Sequence, residues 1–414
     1  MKIWMFNQYA VTPNLSGGTR HFDFGKELVK RGHSVTIFAS SFHYSLLQET
    51  KKYNHQYYIH EKVDGVNFIW IKTTSYKKNN WRRVVNMLCY SVNAYRIAKK
   101  IIVEKPDILL GSSVHLFAVY ISYLLSKRFQ IPFIMEIRDL WPQTLIDMGM
   151  PRWHPMVVLF KILEQFLCKK APKIITLLPN ANQYLTSIGV PSHKVTWISN
   201  GVCSTRLRAL DSEKYKDKKG SQQFTLTYTG AIGRANNLIV AMKAAKLIQS
   251  KYSQIKILLV GDGPEKQGLV QFAQKNNIRN VEFIAQVPKD QLIEIFHGSD
   301  AFYFNLQNSP VFKYGISSNK LFDYFAGGKP IIFSTNSSNN PVAEAEAGLT
   351  VAPDQPKILA NTIIKLYKMP TEKKNKMSEN GRNYVEKNFS IPILTNKLEY
   401  SIKSVLAGHK YDDQ

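Results

Sequence analysis

Three strand-to-helix turns in the second half of the sequence carry residue types that can hold a diphosphate. The segment YTGAIGRANNL ends a predicted strand in a glycine turn and offers Arg234, and LVGDGPEK repeats the turn at Gly261. In SSNK, Ser318 and Asn319 are typical of a helix N-cap. Lys320 then stands in the first helical turn. Backbone N–H groups at a helix N-terminus bind anions, and nearby cations neutralise a departing diphosphate.

Asp323 lies one turn further along the same predicted helix, where a carboxylate can accept both hydroxyls of a ribose. Taken singly, these residues have plainer explanations. Arg234 and Lys320 fit a solvated surface, and Asp323 fits a pair with a lysine of its own helix. The glycines at strand ends, Gly230 among them, combined with cations and a capped helix in consecutive turns, favour a nucleotide site.

A glycine turn also follows the first predicted strand, KIWMFN. The segment NLSGGTRH contains Gly17, Gly18, Thr19 and Arg20 and continues as an amphipathic helix into a second strand, SVTIFAS. Such a turn can hold an anion at the helix N-terminus. G-x-G-x-x-G is absent and no acidic residue follows the second strand at once, which excludes the dinucleotide fingerprint.

Strands and helices alternate along the whole chain. A first series runs through PDILLGSS, PFIMEIRD and KIITLLP, and a second through FTLTYTG, IKILLVGDG, DAFYFNL and KPIIFST. At 414 residues the chain is too long for one core. It is predicted to be an α/β protein of two Rossmann-like, doubly wound domains facing a central cleft, residues 1–203 and 204–390. The lysine-rich run 211–223 is typical of a linker or surface loop.

Strand PFIMEIRD ends in three charged residues, Glu136, Arg138 and Asp139, close to where SSVH places His115. These residues are candidates for orienting an acceptor hydroxyl or the hydroxyls of a sugar. Two structural alternatives stay open. Arg138 and Asp139 fit a salt bridge at a strand end, and His115 fits a buried histidine with satisfied hydrogen bonds.

The formal net charge of +25 favours an anionic partner. Basic residues are concentrated in two stretches, 72–100 and 151–173. The first holds the aromatic residues Trp81, Tyr90 and Tyr95, and the second begins with Trp153 and has an apolar face through Val157, Phe160, Leu163 and Leu167. Such helices are typical of anionic membrane surfaces. The alternative is that this apolar face is core and the lysines are solvated. No nucleic-acid-binding signature appears.

The apolar run 108–125 is long enough for a membrane span, but glycine, serine and histidine interrupt it and its flanks favour strand, turn and helix. No secretory signal begins the sequence. Cys89, Cys168 and Cys203 are scattered without metal spacing and indicate reduced thiols in a cytosolic protein. Neither a D-x-D motif at a strand end nor a ligand cluster is present, so we expect no metal and no cofactor.

Seven segments, in order, resemble the retaining glycosyltransferases of family four, which have the GT-B fold. They are GGTRH, EIRDLWPQTLIDMG, ISNGV, YTGAIGRANNL, VGDGP, YGISSNKLFDYFAGGKPI and GRNYVEKNFS. Within the family the chain looks closest to the bacterial surface-polysaccharide branch that includes the L-fucosamine (N-acetyl-fucosamine) transferases. Each segment is weak evidence alone, and the ordered series is strong evidence.

The resemblance implies a UDP-sugar bound mainly by the C-terminal domain. Arg234 and Lys320 would meet the diphosphate, Asp323 the ribose, and the turn at Gln286 and Val287 the base. Gly17 and Gly18 would approach the phosphates from the N-terminal, acceptor-binding domain, onto which the final helix, within 391–414, would cross back. The implied acceptor is a polyprenyl-diphosphate-linked saccharide for O-antigen or capsule, and the implied enzyme is metal-independent and peripheral on the inner face of the cytoplasmic membrane.

Two departures from the family pattern stand in this sequence. Gly315 replaces the first of two glutamates that usually lie eight positions apart, and Asp323 stands at the second. Asn236 and Asn237 replace the usual lysine after Arg234, which makes Lys320 the candidate for the second positive charge. A sugar-nucleotide epimerase of the same fold and a non-catalytic sugar-nucleotide-binding protein remain alternatives.

Overall fold

The computed structural model describes residues 1–412 except 16, 78–79, 103, 114, 204–222 and 288–290. Most of the predicted linker, residues 211–222, lies outside the described residues. The chain forms two compact units. The first is built from Met1–Pro13, Gly17–Ser199 and the chain from Ile391 on, and the second is built from residues 14–15 and Asn200–Ser390.

The first unit contains an eight-stranded sheet and a small hairpin. Its strands in chain order are β1 Lys2–Phe6, β2 Ser34–Ser40, the hairpin β3 Phe42–His43 and β4 Gln48–Glu49, β5 Tyr58–Val63, β6 Val66–Ile71, β7 Ile108–Ser113, β8 Phe133–Ile137, β9 Lys173–Thr176 and β10 Val195–Trp197. The sheet order is β10-β9-β8-β7-β1-β2-β6-β5. Only β5 is antiparallel to its neighbour.

Helices cover this sheet. They are α1 Arg20–Lys30, α2 Trp81–Lys100, α3 Leu116–Phe129, α4 Gln143–Asp147, α5 Pro155–Lys170 and α6 Ala181–Ser187. Helices α2, α3 and α5 pack side by side, with α3 in contact with both of the others. Phe117 of α3 meets Phe160 of α5 at 5.5 Å between ring centroids.

The apolar run 108–125 divides into strand β7, which is buried along its whole length, and helix α3. Strands buried on both faces are near-continuous apolar runs, which explains the resemblance to a membrane span. The prediction of strand, turn and helix is therefore confirmed. Among the described residues no helix has the length and hydropathy needed to cross a membrane.

The second unit contains a six-stranded parallel sheet. Its strands are β11 Phe224–Thr229, β12 Ile255–Val260, β13 Val281–Ile284, β14 Ala301–Asn305, β15 Ile331–Ser334 and β16 Gly348–Val351. Its helices are α7 Ile239–Ile248, α8 Lys266–Lys275, α9 Leu292–His297, α10 Asn319–Ala326, α11 Pro341–Glu344, α12 Pro356–Lys368 and α13 Thr371–Phe389. Large apolar clusters pack against this sheet, one around Leu226 and one around Phe302.

Both sheets are doubly wound. In the second unit the order is β13-β12-β11-β14-β15-β16, so the chain winds outward from β11 in one direction and then from β14 in the other. In the first unit the same reversal lies between β1 and β7. Ligands of such sheets bind beyond the carboxyl ends of the strands where the order reverses, here called the switch point. The predicted fold class, two Rossmann-like α/β domains, is confirmed.

The last helix, α14 Ile391–Asp412, belongs to the first unit. It is tied to the end of α1 by an ion pair between Arg31 and Glu399 at 3.0 Å, and Arg31 also donates to the carbonyl of Pro392. Hydrogen bonds from Lys403 and, to a lesser extent, from Arg31 lower the pKa of Glu399 to about 2.

Candidate active site

The loops after β11 and β12 cross closely at the switch-point side of the second sheet. Gly230 and Gly261 both have positive φ, of 125° and 151°. A Cβ built on Gly261 would lie 1.9 Å from the carbonyl oxygen of Gly230. Only glycine fits there, because any side chain would collide with backbone. The two glycines therefore bring main-chain groups together at the end of the sheet, as the strand-end glycines predict.

Lys320 reaches across the switch point from the first turn of α10. Its Nζ donates to the hydroxyl of Tyr228 at 2.7 Å and to Oδ1 of Asn236 at 3.1 Å. The ammonium lies 4.4 Å from the ring centroid of Tyr228, on β11, and 5.3 Å from that of Phe304, on β14. An ammonium has three donors, so these two bonds leave one for a ligand.

Burial lowers the pKa of Lys320 to about 7. Desolvation disfavours the charged form of a lysine, and the hydroxyl and amide that accept its protons carry no negative charge to compensate. An anion next to Nζ would supply that charge. Perturbed groups of this kind are concentrated at functional sites.

Arg234 begins a short 3-10 turn, Arg234–Asn236, and its side chain is exposed. The turn is held from beneath by Asn305, at the end of β14, whose amide donates to the carbonyls of Asn236 and Asn237 at 2.7 and 3.2 Å. Asn237 takes a left-handed conformation with φ 38°. Asn236 stands where the family usually has a lysine, and its contact with Lys320 is consistent with the hypothesis that Lys320 provides the second positive charge.

Helix α10 begins as predicted, with Ser318 at the N-cap and Asn319 as the first helical residue. The prediction of Ser318 as the N-cap residue is confirmed. Its side chain, however, makes no hydrogen bond to the first turn of the helix. The turn before it is anchored by Ser317, whose hydroxyl accepts from the backbone N–H of Asn200 at 2.8 Å. Asp323 lies one turn further on and is buried, with 8% of its surface exposed.

The loops after β12 and β13 are clamped by Lys266, which the sequence pattern did not single out. Its Nζ donates to the carbonyl of Gly261 at 2.9 Å and to that of Ile284 at 3.4 Å. Beyond Ile284, Gln286 is exposed and Val287 is half-buried. The role of these two residues toward a base stays a prediction.

The glycine turn of the first unit precedes α1. Gly17 has φ 139°, and a Cβ there would lie 3.1 Å from Val11. Gly18 is half-buried, and Thr19 is buried at the N-cap position, where its hydroxyl donates to Asp23 at 2.6 Å. Arg20 points into the protein and donates to the main-chain carbonyl of Ile198 at 2.9 Å and to that of Ser199.

Glu136 lies at the centre of a buried network. Arg20 Nε donates to Glu136 at 2.9 Å, His21 Nε2 lies 3.0 Å from it, and the Ser112 hydroxyl donates at 2.8 Å. Burial alone would raise the pKa of Glu136, but Arg20 and His21 outweigh it and hold that pKa well below its usual range. The carboxylate is 1% exposed. This geometry disfavours the prediction that Glu136 touches substrate and favours a positioning role.

His115 is also buried, and it caps α3. Its Nδ1 accepts from the backbone N–H of Ala118 at 3.3 Å, and its Nε2 pairs with Oε1 of Gln8 at 2.6 Å. Gln8 donates in turn to Asn86. Burial lowers the pKa of His115 to about 3, so the imidazole is neutral at physiological pH. The contacts match the alternative of a buried histidine with satisfied hydrogen bonds, at the switch point between β1 and β7.

Arg138 and Asp139 follow the end of β8. Arg138 is half-buried and Asp139 is exposed. Of the four candidates in the first unit, Asp139 is the exposed residue, although desolvation of its carboxyl raises its pKa and outweighs the opposing effect of Arg138. Within the described part of the chain no group of three or more histidine, cysteine or acidic residues is placed to hold a metal.

Two family models match the chain in succession. Residues 16–206 match the model of Glycosyltransferase Family 4, and residues 211–384 match that of Glycosyl transferases group 1. The chain is a family 4-like glycosyltransferase. No curated protein matches it in sequence.

Solved structures of GT-B glycosyltransferases share the fold over nearly their whole length. The sucrose-phosphate synthase of Thermosynechococcus elongatus superposes with a TM-score of 0.74 at 16% identity, covering 98% of this chain and 99% of that one. The trehalose 6-phosphate synthase of Burkholderia multivorans gives 0.73 at 11% identity, with 100% and 98% covered. HepE of Anabaena, crystallised with UDP and glucose, gives 0.69 at 13%, with 98% and 100% covered. At these identities the likeness concerns the fold.

The glycine turns of the second unit were predicted from the sequence, whereas three residues that shape them were not. Tyr228 is the first residue of the quoted YTG segment, yet its ring and hydroxyl receive Lys320 from 92 positions away. Asn305 ends a buried strand, where a polar residue is an available signal. Lys266 had no such signal.

Proposed function

We propose that this glycosyltransferase is a retaining, metal-independent enzyme of bacterial surface-polysaccharide synthesis. Its donor is a UDP-sugar, and the sugar is an N-acetylated amino or deoxyamino sugar, as in the L-fucosamine branch. Its acceptor is a polyprenyl-diphosphate-linked saccharide of O-antigen or capsule. The C-terminal domain binds the donor, and the N-terminal domain binds the acceptor.

The observation that carries the proposal is the position of Lys320 over the switch point of the second sheet. Its ammonium is held by Tyr228 and Asn236 at 2.7 and 3.1 Å, with one donor left over. The glycine crossing of Gly230 and Gly261 lies beside it, since a Cβ on Gly230 would be 3.1 Å from Nζ. A cation, open main-chain groups and a helix N-terminus together suit a diphosphate.

The solved structures support UDP as the nucleotide. HepE was crystallised with UDP and glucose and also with UDP-glucose. On this proposal the diphosphate meets Lys320 and Arg234, the ribose hydroxyls meet Asp323, and the base meets the turn at Gln286 and Val287. Gly315, in place of the usual glutamate, leaves the contact to the sugar hydroxyls to other groups.

The proposed reaction is a substitution on one face of the sugar. The bond from the anomeric carbon to the diphosphate oxygen breaks, and a bond from that carbon to the acceptor oxygen forms on the same face. The acceptor proton passes to the departing diphosphate oxygen. Arg234 and Lys320 stabilise the charge that develops on the diphosphate, where fixed cations lower the barrier most.

In the first unit we assign orientation of the acceptor hydroxyl to Asp139, assisted by Arg138. Asp139 is exposed beyond the end of β8, whereas the Glu136 carboxylate is enclosed by Arg20, His21 and Ser112. Glu136 and His115 then act as positioning residues: Glu136 holds Arg20, which donates to main-chain carbonyls, His115 caps α3, and both side chains are buried.

A membrane-bound acceptor agrees with the charge of the protein. The formal net charge is +25, and anionic lipid attracts such a surface. The proposed location is therefore the inner face of the cytoplasmic membrane, with the enzyme as a peripheral protein. Liposome flotation with and without anionic lipid tests this placement, and absence of lipid-dependent recovery would make a soluble acceptor the better choice.

The donor is tested by thermal shift with a panel of UDP-, GDP- and TDP-sugars. A ligand that binds only the native state raises the melting temperature by mass action. We expect UDP-sugars to give the largest rise and Lys320→Ala to abolish it. Lys313→Ala, an exposed lysine one short turn upstream, is the matched control and should retain it. An equal shift in wild type and Lys320→Ala would refute the assigned site.

Transfer itself is tested by release of UDP. Formation of a new UDP-sugar from donor alone would indicate an epimerase, and binding without UDP release under every acceptor condition would indicate a non-catalytic protein. Treatment with EDTA should leave transfer intact. Activity lost to EDTA and restored by a divalent cation would contradict the metal-independent mechanism.

A further inference from the structure

Helices α2 and α5 of the first unit expose stripes of large apolar side chains. On α2 the exposed residues follow a spacing of four, three and four: Trp81, Val85, Leu88 and Val92. On α5 they are Val158, Leu159, Ile162 and Phe166. These residues lie opposite the side that packs on the sheet, so burial in the core does not account for them.

The sequence pattern predicts a different face of α5 for contact with lipid. Val157, Phe160 and Leu167 are buried against the sheet, so that face is core, as the structural alternative held. Tyr90 of α2 is also fully buried and donates to the carbonyl of Phe38. Helix α5 is apolar nearly all round, and its second apolar side is the exposed one.

The two stripes belong to one surface. Helix α3 lies between α2 and α5 and contacts both. Its exposed Tyr120 lies 6.5 Å from Phe166 of α5, measured between ring centroids. The surface formed by the outer sides of α2, α3 and α5 is called the three-helix face. In the second unit, Leu247 and Ile358 are the exposed large apolar side chains among the described residues, one on each of two helices.

The charge of the three-helix face indicates which kind of partner it can bind. The three helices carry ten lysines and arginines, five in α2, two in α3 and three in α5, and all of them except Arg83 are exposed. Their one acidic residue, Glu164, is buried and accepts from Tyr184 at 2.7 Å. A second copy would set like charges against each other, whereas an anionic bilayer complements both the charge and the apolar stripes.

The order of residues along the helices also fits a bilayer. Each helix starts beyond the carboxyl end of a parallel strand and runs back, so its first turn lies at the edge where the switch point is. Trp81 opens α2 and the exposed Trp153 precedes α5 at that edge. Tryptophan prefers the membrane interface. All three helices end in a basic pair, whose long side chains can snorkel to headgroups.

We infer that the three-helix face docks the first unit onto an anionic lipid bilayer. The inference rests on the proposed function for the meaning of this docking, because the edge that carries Trp81 and Trp153 is the edge at which Asp139 follows β8. A polyprenyl acceptor anchored in the same bilayer then presents its saccharide to that edge. The docking itself needs no donor and is measured without one.

Sedimentation with sucrose-loaded vesicles tests the docking, using phosphatidylcholine alone and phosphatidylcholine with phosphatidylglycerol. The test variant is Leu88→Gln with Ile162→Gln, whose side chains are 44% and 62% exposed. The matched control is Leu247→Gln with Ile358→Gln in the second unit, at 50% and 48%. We expect wild type and control to bind the anionic vesicles and the test variant to bind at least about tenfold more weakly.

A variant with fewer positive charges distinguishes insertion of apolar side chains into the bilayer from electrostatic attraction to its anionic surface. Replacing Lys99 and Lys100 by glutamine should weaken binding to anionic vesicles roughly fivefold per lysine and leave binding to neutral vesicles unchanged. Wild type that fails to sediment with anionic vesicles would overturn the inference, as would equal losses in test and control variants. A test variant that changes the sedimentation coefficient in lipid-free solution would assign the face to self-association instead.

Thermal shift with UDP distinguishes the two proposals. The test variant should unfold cooperatively and keep the UDP-induced rise in melting temperature, which excludes misfolding as the cause of lost binding. A wild type that responds to UDP but ignores vesicles would refute the docking and leave the donor site standing. If the wild type binds vesicles but no nucleotide raises its melting temperature, the donor site would be refuted and the docking would stand.

Discussion

Uptake of a proton on UDP binding is the sharpest prediction for Lys320. In the ligand-free protein, burial lowers the pKa of its ammonium to about 7. A diphosphate beside Nζ supplies the negative charge that Tyr228 and Asn236 do not, so the charged form becomes favoured again. Binding above pH 7.5 is therefore coupled to protonation of Lys320, and replacing this residue by methionine removes the coupling.

The size of the effect follows from the pKa. With a pKa of about 7, roughly 90% of Lys320 is neutral at pH 8, so UDP binding takes up close to 0.9 proton if the bound pKa returns toward its ordinary value. A terminal phosphate loses its second proton near pH 6 and adds little above pH 7.5. The dissociation constant of UDP should then rise almost tenfold per pH unit between about pH 8 and pH 9.5.

Titration calorimetry in buffers of different ionisation enthalpy measures this uptake directly. At pH 8.3 the wild type and Lys313→Met, which alters an exposed lysine nearby, should take up about one proton per UDP. Lys320→Met should take up none and bind with little dependence on pH. If the wild type binds UDP without proton uptake, or if Lys320→Met keeps it, the assignment of Lys320 to the diphosphate is wrong.

Three further predictions concern the buried groups. Glu136→Gln leaves Arg20 without its counter-charge and should lower the free energy of unfolding by about 3–5 kcal/mol in denaturant titrations; lost turnover at full stability would instead place Glu136 in the chemistry. His115 is neutral in the folded protein and binds a proton below about pH 6.5 in the unfolded chain. Acidification from pH 7 to 4.5 should therefore lower the free energy of unfolding of the wild type by about 2.5 kcal/mol more than that of His115→Gln. Equal dependence of this free energy on pH in the two proteins would contradict the prediction. Gly261→Ala drives a Cβ into the carbonyl of Gly230 and should destabilise by roughly 1–3 kcal/mol and abolish the UDP-induced thermal shift; a variant that keeps both would show that the loops can separate.

The proximity of these turns was predictable because each lies between a strand of the second sheet and the helix that follows it. In a parallel doubly wound sheet all carboxyl ends meet at one edge, so YTG, GDG and the SSNK helix start must come together whatever the loop details are. The periodicity of apolar residues does not predict which side chains meet across that edge. The contact of Lys320 with Tyr228 joins residues 92 positions apart, and its consequence for the lysine pKa depends on how much water the pocket excludes.

The surroundings of Glu136 could not be predicted for a related reason. A carboxylate at a strand end is compatible with catalysis and with an internal ion pair, and the sequence gives no sign of which applies. The partner, Arg20, lies 116 positions earlier in a glycine turn that itself suggested an anion site. Once Arg20 is committed to Glu136 and to main-chain carbonyls, neither residue is available to a ligand in this arrangement.

Helix α5 illustrates the limit of amphipathic patterns. Its core face and its exposed face are both apolar. The apolar pattern therefore indicates the face through Val157 and Phe160, which is buried, and does not indicate the second one. Only the packing of α3 and the sheet against that run reveals that Ile162 and its neighbours are left outside. The sequence predicted a lipid-binding helix, and the structure moves the proposed lipid contact to its other side.

The two switch points differ in which groups occupy them. On that basis we propose different roles for the two units. In the first sheet the gap between β1 and β7 is occupied by the protein itself, through His115, Gln8 and Asn86. In the second sheet the corresponding gap holds the amine of Lys320, bonded to Tyr228 and Asn236, and the backbone of Gly230 and Gly261. A site already filled by neutral hydrogen bonds gains nothing from a polyanion, whereas a desolvated lysine regains its charge from one. This contrast supports the proposal that the diphosphate binds to the second unit and the acceptor to the first.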